Sequence, residues 1–212
     1  AEARGSGGVI GNFGEIVAKD GHFELIRFGR NAELEDNGVP RDQRVLTAPA
    51  DYTKRYTPFG VASTWANMNM TPEFPAAAEA MANHYPQSGG ADVDGVISAD
   101  PTALAAFLDL VGPIEVAGWP EPLTVQNAAE ILYYRSYVAL ADDKTERISL
   151  LADVATTVWT RLAGADLPEP ARVAQVLGPI ARGRHLQIWM REPDEQRYLE
   201  RLSVAGGVPP VA

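Results

Sequence analysis

The sequence predicts an α/β protein, a three-layer α/β/α sandwich built on a central mixed β-sheet. Three observations predict it. A strand–helix–strand run lies between Val93 and Val116, which is the pattern of a βαβ unit. A hairpin pattern precedes it between Val9 and Arg30. Helical patterns then recur up to the C-terminus, interrupted by one more alternating strand.

Val9 to Val17 carries strand-type residues, Asp20-Gly21 is a hairpin turn pair, and His22 to Arg30 alternates. Glu24, Ile26, Phe28 and Arg30 then share one face. Residues 31–64 are charged, proline-bearing and irregular, and read as a long loop. Pro72 to His84 has helical composition, and Gln87 to Ala91 is a turn. Val93 to Ala99 reads as a buried strand. Asp100-Pro101 joins an N-cap to a first-turn proline, and the helix runs from Ala103 to Val111. Gly112-Pro113 ends it, and Ile114-Glu115-Val116 starts the return strand. Thr124 to Tyr137 is a second helix. Asp143-Lys144-Thr145-Glu146 resembles a capping box with Asp in the cap and opens a third helix to about Leu162. Ala171 to Ile180 is a short helix, His185 to Met190 a strand and Asp194 to Leu202 a last helix. One domain over 1–205 results, with 206–212 as a linker or tail. The start Ala1-Glu2-Ala3-Arg4, without Met, reads as a piece of a longer protein.

The bulk properties narrow the function. At 212 residues with 46% apolar content, the chain can bury a real core. A net charge of −10 argues against gripping nucleic acid through a basic surface. Cysteine is absent, which excludes disulfides, thiolate nucleophiles and Cys-ligated metals. No stretch approaches the ~20 apolar residues that span a bilayer.

Two arginines stand where apolar residues belong. Ala128, Ile131 and Leu132 define a helix face that Arg135 continues. Leu151, Val154 and Val158 define another, with Arg147 one turn before it. A guanidinium at the edge of a core needs an anionic partner. Its planar fork suits phosphate or carboxylate, and a helix N-terminus such as that near Arg147 also favours anions. Pairing with Asp142, Asp143 or Glu146 in structural salt bridges is the plainer explanation. Arg4-Gly5-Ser6-Gly7-Gly8 is a glycine-rich turn whose N–H groups could face a phosphate. It lacks the Gly-Lys-Ser or Gly-Lys-Thr of a P-loop, and most such runs are simply turns. His22, His84 and His185 have no metal-ligand spacing, and Ser6 and Ser98 have no His-Asp company. Glu73 and Asp94 could form a carboxylate pair. Trp65, Trp119, Trp159 and Trp189 could be core, rim or sugar platforms. Asn67 and Asn69 precede a proline-started helix, where capping or hydrogen bonding to a sugar or phosphate are both open.

The order of these features resembles the LytR-CpsA-Psr family. Leu25-Ile26-Arg27-Phe28-Gly29-Arg30-Asn31 looks like its strand ending in Pro-Arg-Asp. Val93 to Ala99 followed by Phe107 to Val116 looks like its strand–helix–Gly-Gly-Val segment, and Leu123-Thr124 through Arg135 looks like its tyrosine- and arginine-bearing helix. Asp143 and Arg147 resemble the Asp and Arg that follow. The sequence is also similar to the bacterial domain of unknown function 4012 family, through Glu2, Arg4, Gly7-Gly8, the run Asn67 to Pro75 and Val93-Asp94-Gly95-Val96.

The first resemblance implies a LytR-CpsA-Psr-like fold and a phosphotransferase that moves a glycan from a polyprenyl-pyrophosphate carrier to a cell-wall or related acceptor. Arg30, Arg135, Arg147 and Asp143 would be its catalytic residues. Arg4, Gly7, Gly8 and Asn31 would bind phosphate, and Asn67 and Asn69 would bind substrate. It implies Mg²⁺ and an extracytoplasmic domain anchored to the membrane by flanking segments. The ligases' acidic Mg²⁺ positions correspond here to Gly7 or a neighbour and to Asn31, neither a carboxylate. That departure favours a second reading, a non-catalytic envelope module that binds a glycan or lipid carrier or scaffolds a partner. A hydrolase with carboxylates converging in a cleft is a third.

Overall fold

The structure, a computed structural model, describes residues 3–20, 22–165 and 168–208. Gly21 of the predicted hairpin turn, Glu2, and residues 209–212 of the predicted tail lie outside the described residues. About half the chain is helical, and the class is α/β.

The N-terminal run forms two short strands, β1 (Ala3–Arg4) and β2 (Gly7–Gly8), paired antiparallel. The predicted hairpin is present as β3 (Asn12–Lys19) and β4 (His22–Arg30). The stretch expected to be a loop is instead partly helical, with α1 (Asn31–Asp36) and α2 (Ala50–Tyr56). These helices are short and lack a periodic apolar stripe, which hides them from pattern reading. In α1 the acidic first turn holds the start, where the Arg30 backbone N–H donates to Glu33 Oε1 at 2.9 Å. α3 (Phe74–His84) starts with proline in its first turn.

β5 (Gly95–Ala99) is followed by α4 (Pro101–Val111), capped as predicted by Asp100, whose carboxylate accepts from the N–H groups of Thr102 and Ala103. The second predicted helix begins later and continues further. It consists of α5 (Ala128–Glu130), a π-helical turn Ile131–Arg135, and α6 (Ser136–Ala139). α7 (Lys144–Gly164) is capped by Asp143, which accepts from Glu146 N–H at 2.8 Å. α8 (Pro170–Arg182), β6 (Leu186–Met190) and α9 (Pro193–Arg201) complete the chain.

The strands pair as three separate two-stranded antiparallel sheets, β1–β2, β3–β4 and β5–β6. The described residues therefore give no central mixed sheet, which corrects the expectation of one. The reason lies in the strand–helix–strand run. Ile114-Glu115-Val116 does not return beside β5; Ile114 makes a single antiparallel bridge to Leu123 instead. β5 takes β6 as its partner, from nearly a hundred positions away, and the ladder begins where Arg191 N–H donates to Asp94 O at 2.7 Å.

The chain divides into two compact units. The first comprises Ala1–Gly11, Arg30–Ser98 and Ala181–Ala212, and the second Asn12–Gly29 and Ala99–Ile180. In the first unit Phe74, Ala78 and Ala82 of α3 pack on Trp189 of β6, with Val93 and Val96 alongside. In the second, α4 packs on α5 and α7, burying Phe107, Leu108, Ala128, Ile131, Leu150, Val154 and Val158. The buried face of α7 includes Val154 and Val158 as expected, with Leu150 completing it and Leu151 half-buried beside it.

Candidate functional site

In the second unit the Ile114–Leu123 bridge ties together the two ends of a loop. The N–H of each donates to the other's carbonyl, at 3.0 and 2.8 Å. Gly118 sits inside that loop at φ 78°, a left-handed conformation that glycine adopts without a Cβ penalty. It delivers Trp119-Pro120-Glu121-Pro122 to the surface. Two prolines flank Glu121 and stiffen the backbone that carries its carboxylate. Trp119, Pro120, Glu121, Glu115 and Val116 line an open cleft of about 340 Å³.

Arg135 meets this loop. Its Nη2 lies 2.5 Å from Glu121 Oε1, and its guanidinium carbon is 5.7 Å from the centre of the Trp119 ring. The Arg135 and Glu121 side chains are 39% and 40% exposed, although the paired oxygen of Glu121 is itself buried. Arg135 closes the π-helical turn, where Ser136 N–H is shared between the carbonyls of Ile131 and Tyr134. A π turn inserts an extra residue into the helical repeat and often marks a functional position. Ser136, fully buried, has no hydrogen-bond partner for its hydroxyl among the described residues. Burial also raises the pKa of the Tyr133 phenol, which lies 3.3 Å from the Thr102 hydroxyl.

Asp143 and Arg147 lie at the start of α7 in the same unit. The Asp143 carboxylate is committed to capping, and Arg147 places its guanidinium 4.4 Å from the centre of the Tyr137 ring. Neither arginine takes Asp142, Asp143 or Glu146 as the partner that sequence spacing suggested. Glu121, the partner of Arg135, went unremarked in the sequence, although a glutamate between two prolines beside a tryptophan was a visible signal.

The other predicted site residues lie in the first unit. Arg4 is half-buried in β1, opposite Gly7, and its Nη1 donates to the Ala3 carbonyl at 3.4 Å. Arg30 is exposed, and Asn31 opens α1 with its N–H on Gly11 O at 3.1 Å. Asn69 is buried and its amide nitrogen donates to Gly8 O at 2.7 Å and Ser6 O at 3.4 Å. Asn67 donates to Phe59 O at 2.9 Å. The Ser6 hydroxyl donates to Thr71 O. Gly7, Gly8 and Asn69 are thus brought together, but as a staple holding the glycine-rich turn to residues 69–71.

Sequence reading also missed Arg184, which adopts φ 62° and donates to the carbonyls of Pro72, Gly206 and Gly207. Among the described residues no three histidine or carboxylate side chains converge as a metal-ligand set. Asn31 stands at one position where the resembled ligases have aspartate, and an amide is a poorer partner than a carboxylate for a hard Mg²⁺ ion.

No described helix is long and apolar enough to cross a membrane. No curated protein and no solved structure matches the chain. Residues 1–137, well over half the chain, match the family model described as a protein of unknown function (DUF4012), and the chain belongs to that family.

Proposed function

We propose that the chain is a non-catalytic cell-envelope module that binds glycan in the Trp119 cleft. The observation behind this reading is that two residues lining that cleft, Trp119 and Glu121, are both engaged by Arg135. A sugar ring has an apolar C–H face and an edge of hydroxyls. An indole supplies a partner for the face, and a guanidinium beside a carboxylate supplies donors and acceptors for the edge. The pair is held in place before any ligand arrives, which lowers the ordering cost of binding.

Titration calorimetry with neutral cell-wall oligosaccharides tests the reading. Trp119→Ala and Arg135→Ala should each weaken binding at least about tenfold, the loss of roughly one good contact. Unchanged affinity in both variants would refute it.

A second reading has its own support. Arg147 faces an aromatic ring rather than a carboxylate, so its charge stays available in the same unit as Arg135. On this reading the domain is LytR-CpsA-Psr-like, extracytoplasmic and anchored by flanking segments. It takes a polyprenyl-pyrophosphate-linked glycan and passes the glycan to a cell-wall acceptor. The arginines neutralise charge on the departing phosphate, and no step runs through a metal. Release of the carrier phosphate, lost in Arg135→Ala and Arg147→Ala, would favour it over simple binding.

A further inference from the structure

We propose that His84 and Arg44 form an acid-operated latch, in which a proton on the His84 ring drives the segment Arg44–Thr47 off the end of α3. The device lies within the first unit and is independent of the glycan reading.

His84 is the last residue of α3 and is 1% exposed. Neither ring nitrogen reaches a hydrogen bond of normal geometry among the described residues, although the Ala62 and Val45 backbones lie near enough to favour a proton there, and the ring lies 5.5 Å from that of Trp65. Arg44 is 7% exposed. Its Nε donates to Val39 O at 2.8 Å, and its Nη2 to Glu35 O and Asn37 O at 3.0 and 2.6 Å. Its Nη1 is buried without a partner among the described residues.

Side-chain amides hold the segment to the end of α3. Gln87 brackets Val45, accepting from its N–H and donating to its carbonyl, both at 2.8 Å. Asn83 donates to Thr47 O at 3.2 Å. Such contacts open more easily than a strand ladder or a packed core.

A proton on His84 would place a second buried cation within the field of Arg44, with the segment that carries Arg44 held to the residues on either side of His84. Burial first, and Arg44 second, hold the histidine pKa below its ordinary value, while the backbone groups of Ala62 and Val45 oppose them in part. Arg44 feels Arg41 from the turn before it and Glu35 and Asp36 from α1. The Trp65 indole beside the ring carries no charge. Because the folded-state pKa is depressed, the latch is fully closed above the unfolded value of about 6.5. Its stability falls as pH drops from there towards the folded-state value.

The test is amide hydrogen exchange of residues 44–48 in the full chain between pH 7.5 and 5.0, corrected for the intrinsic pH dependence of exchange. The opening constant should rise by up to about tenfold per pH unit below about 6.5, the limit for one proton. His84→Gln should remove that dependence. Constant protection across the range, or a wild-type slope in His84→Gln, overturns the proposal. Should His84→Gln fail to fold, the wild-type ring resonance decides. A ring that stays neutral below about 6.5 in the closed state and takes its proton only as the segment loses protection supports the latch. Ordinary titration near 6.5 with protection intact overturns it.

Discussion

Glu121→Gln separates the two functional readings because it deletes a charge and keeps the shape. The ion pair with Arg135 is short, at 2.5 Å, but its side chains are 39% and 40% exposed. Solvent screening holds such a pair to about 0.2–1 kcal/mol. At about 2–4 °C per kcal/mol for a chain of this size, the melting temperature should fall by no more than ~4 °C. Binding should respond far more. If the Glu121 carboxylate accepts a sugar hydroxyl, its loss removes a charge-assisted hydrogen bond of about 1.5–3 kcal/mol, and the oligosaccharide dissociation constant should rise about 10- to 150-fold. Affinity for inorganic pyrophosphate should move the other way. Arg135 no longer shares its charge with Glu121, so the gain is the released pair energy, about 1.4- to 5-fold. Calorimetry with both ligands on one protein preparation gives the comparison. Unchanged oligosaccharide affinity in a folded Glu121→Gln protein would refute a role for the pair in sugar binding. A pyrophosphate gain with no sugar binding at all would transfer support to the carrier-binding reading.

Three further expectations concern the first unit. Gly5→Ala places a methyl group against the carbonyl of Met70 and should destabilise that unit by about 1–3 kcal/mol in urea unfolding. Asn69→Ala should cost about 1–3 kcal/mol in the same assay, because the carbonyls of Ser6 and Gly8 lose their side-chain donor while the Ser6 N–H keeps its bond to the backbone carbonyl of residue 69. Arg184→Ala should free Gly206–Val208 to proteolysis. Arg184→Gly should be more stable than Arg184→Ala by about 1 kcal/mol, because glycine relieves the left-handed backbone.

Local chemistry made most of the elements legible. Asp100-Pro101 and Asp143 marked helix starts because capping is a property of adjacent residues. The hairpin was readable from alternation and a turn pair, though its first strand runs from Asn12 rather than Val9. Strand partnership was not legible. β5 and β6 are joined by non-local hydrogen bonds, and nothing in Gly95–Ala99 names Leu186–Met190 as partner. The π turn was equally hidden, since Ala128, Ile131, Leu132 and Arg135 fit an ordinary helical repeat. That repeat still placed Arg135 at the edge of the buried face, because the spacing that buries Ile131 and Leu132 carries the next turn to the rim. Its partner Glu121 comes from a loop whose path depends on a single long-range bridge, beyond the reach of any periodicity.

That bridge has an evolutionary consequence. The segment from Glu115 to Pro122 leaves and re-enters the second unit at one point, between two fully buried residues, Ile114 and Leu123. Its interior can therefore change in length or composition while its anchors stay the same. If the cleft binds glycan as proposed, exchanging this short cassette would change what is bound and leave the helical segment that carries Arg135 untouched.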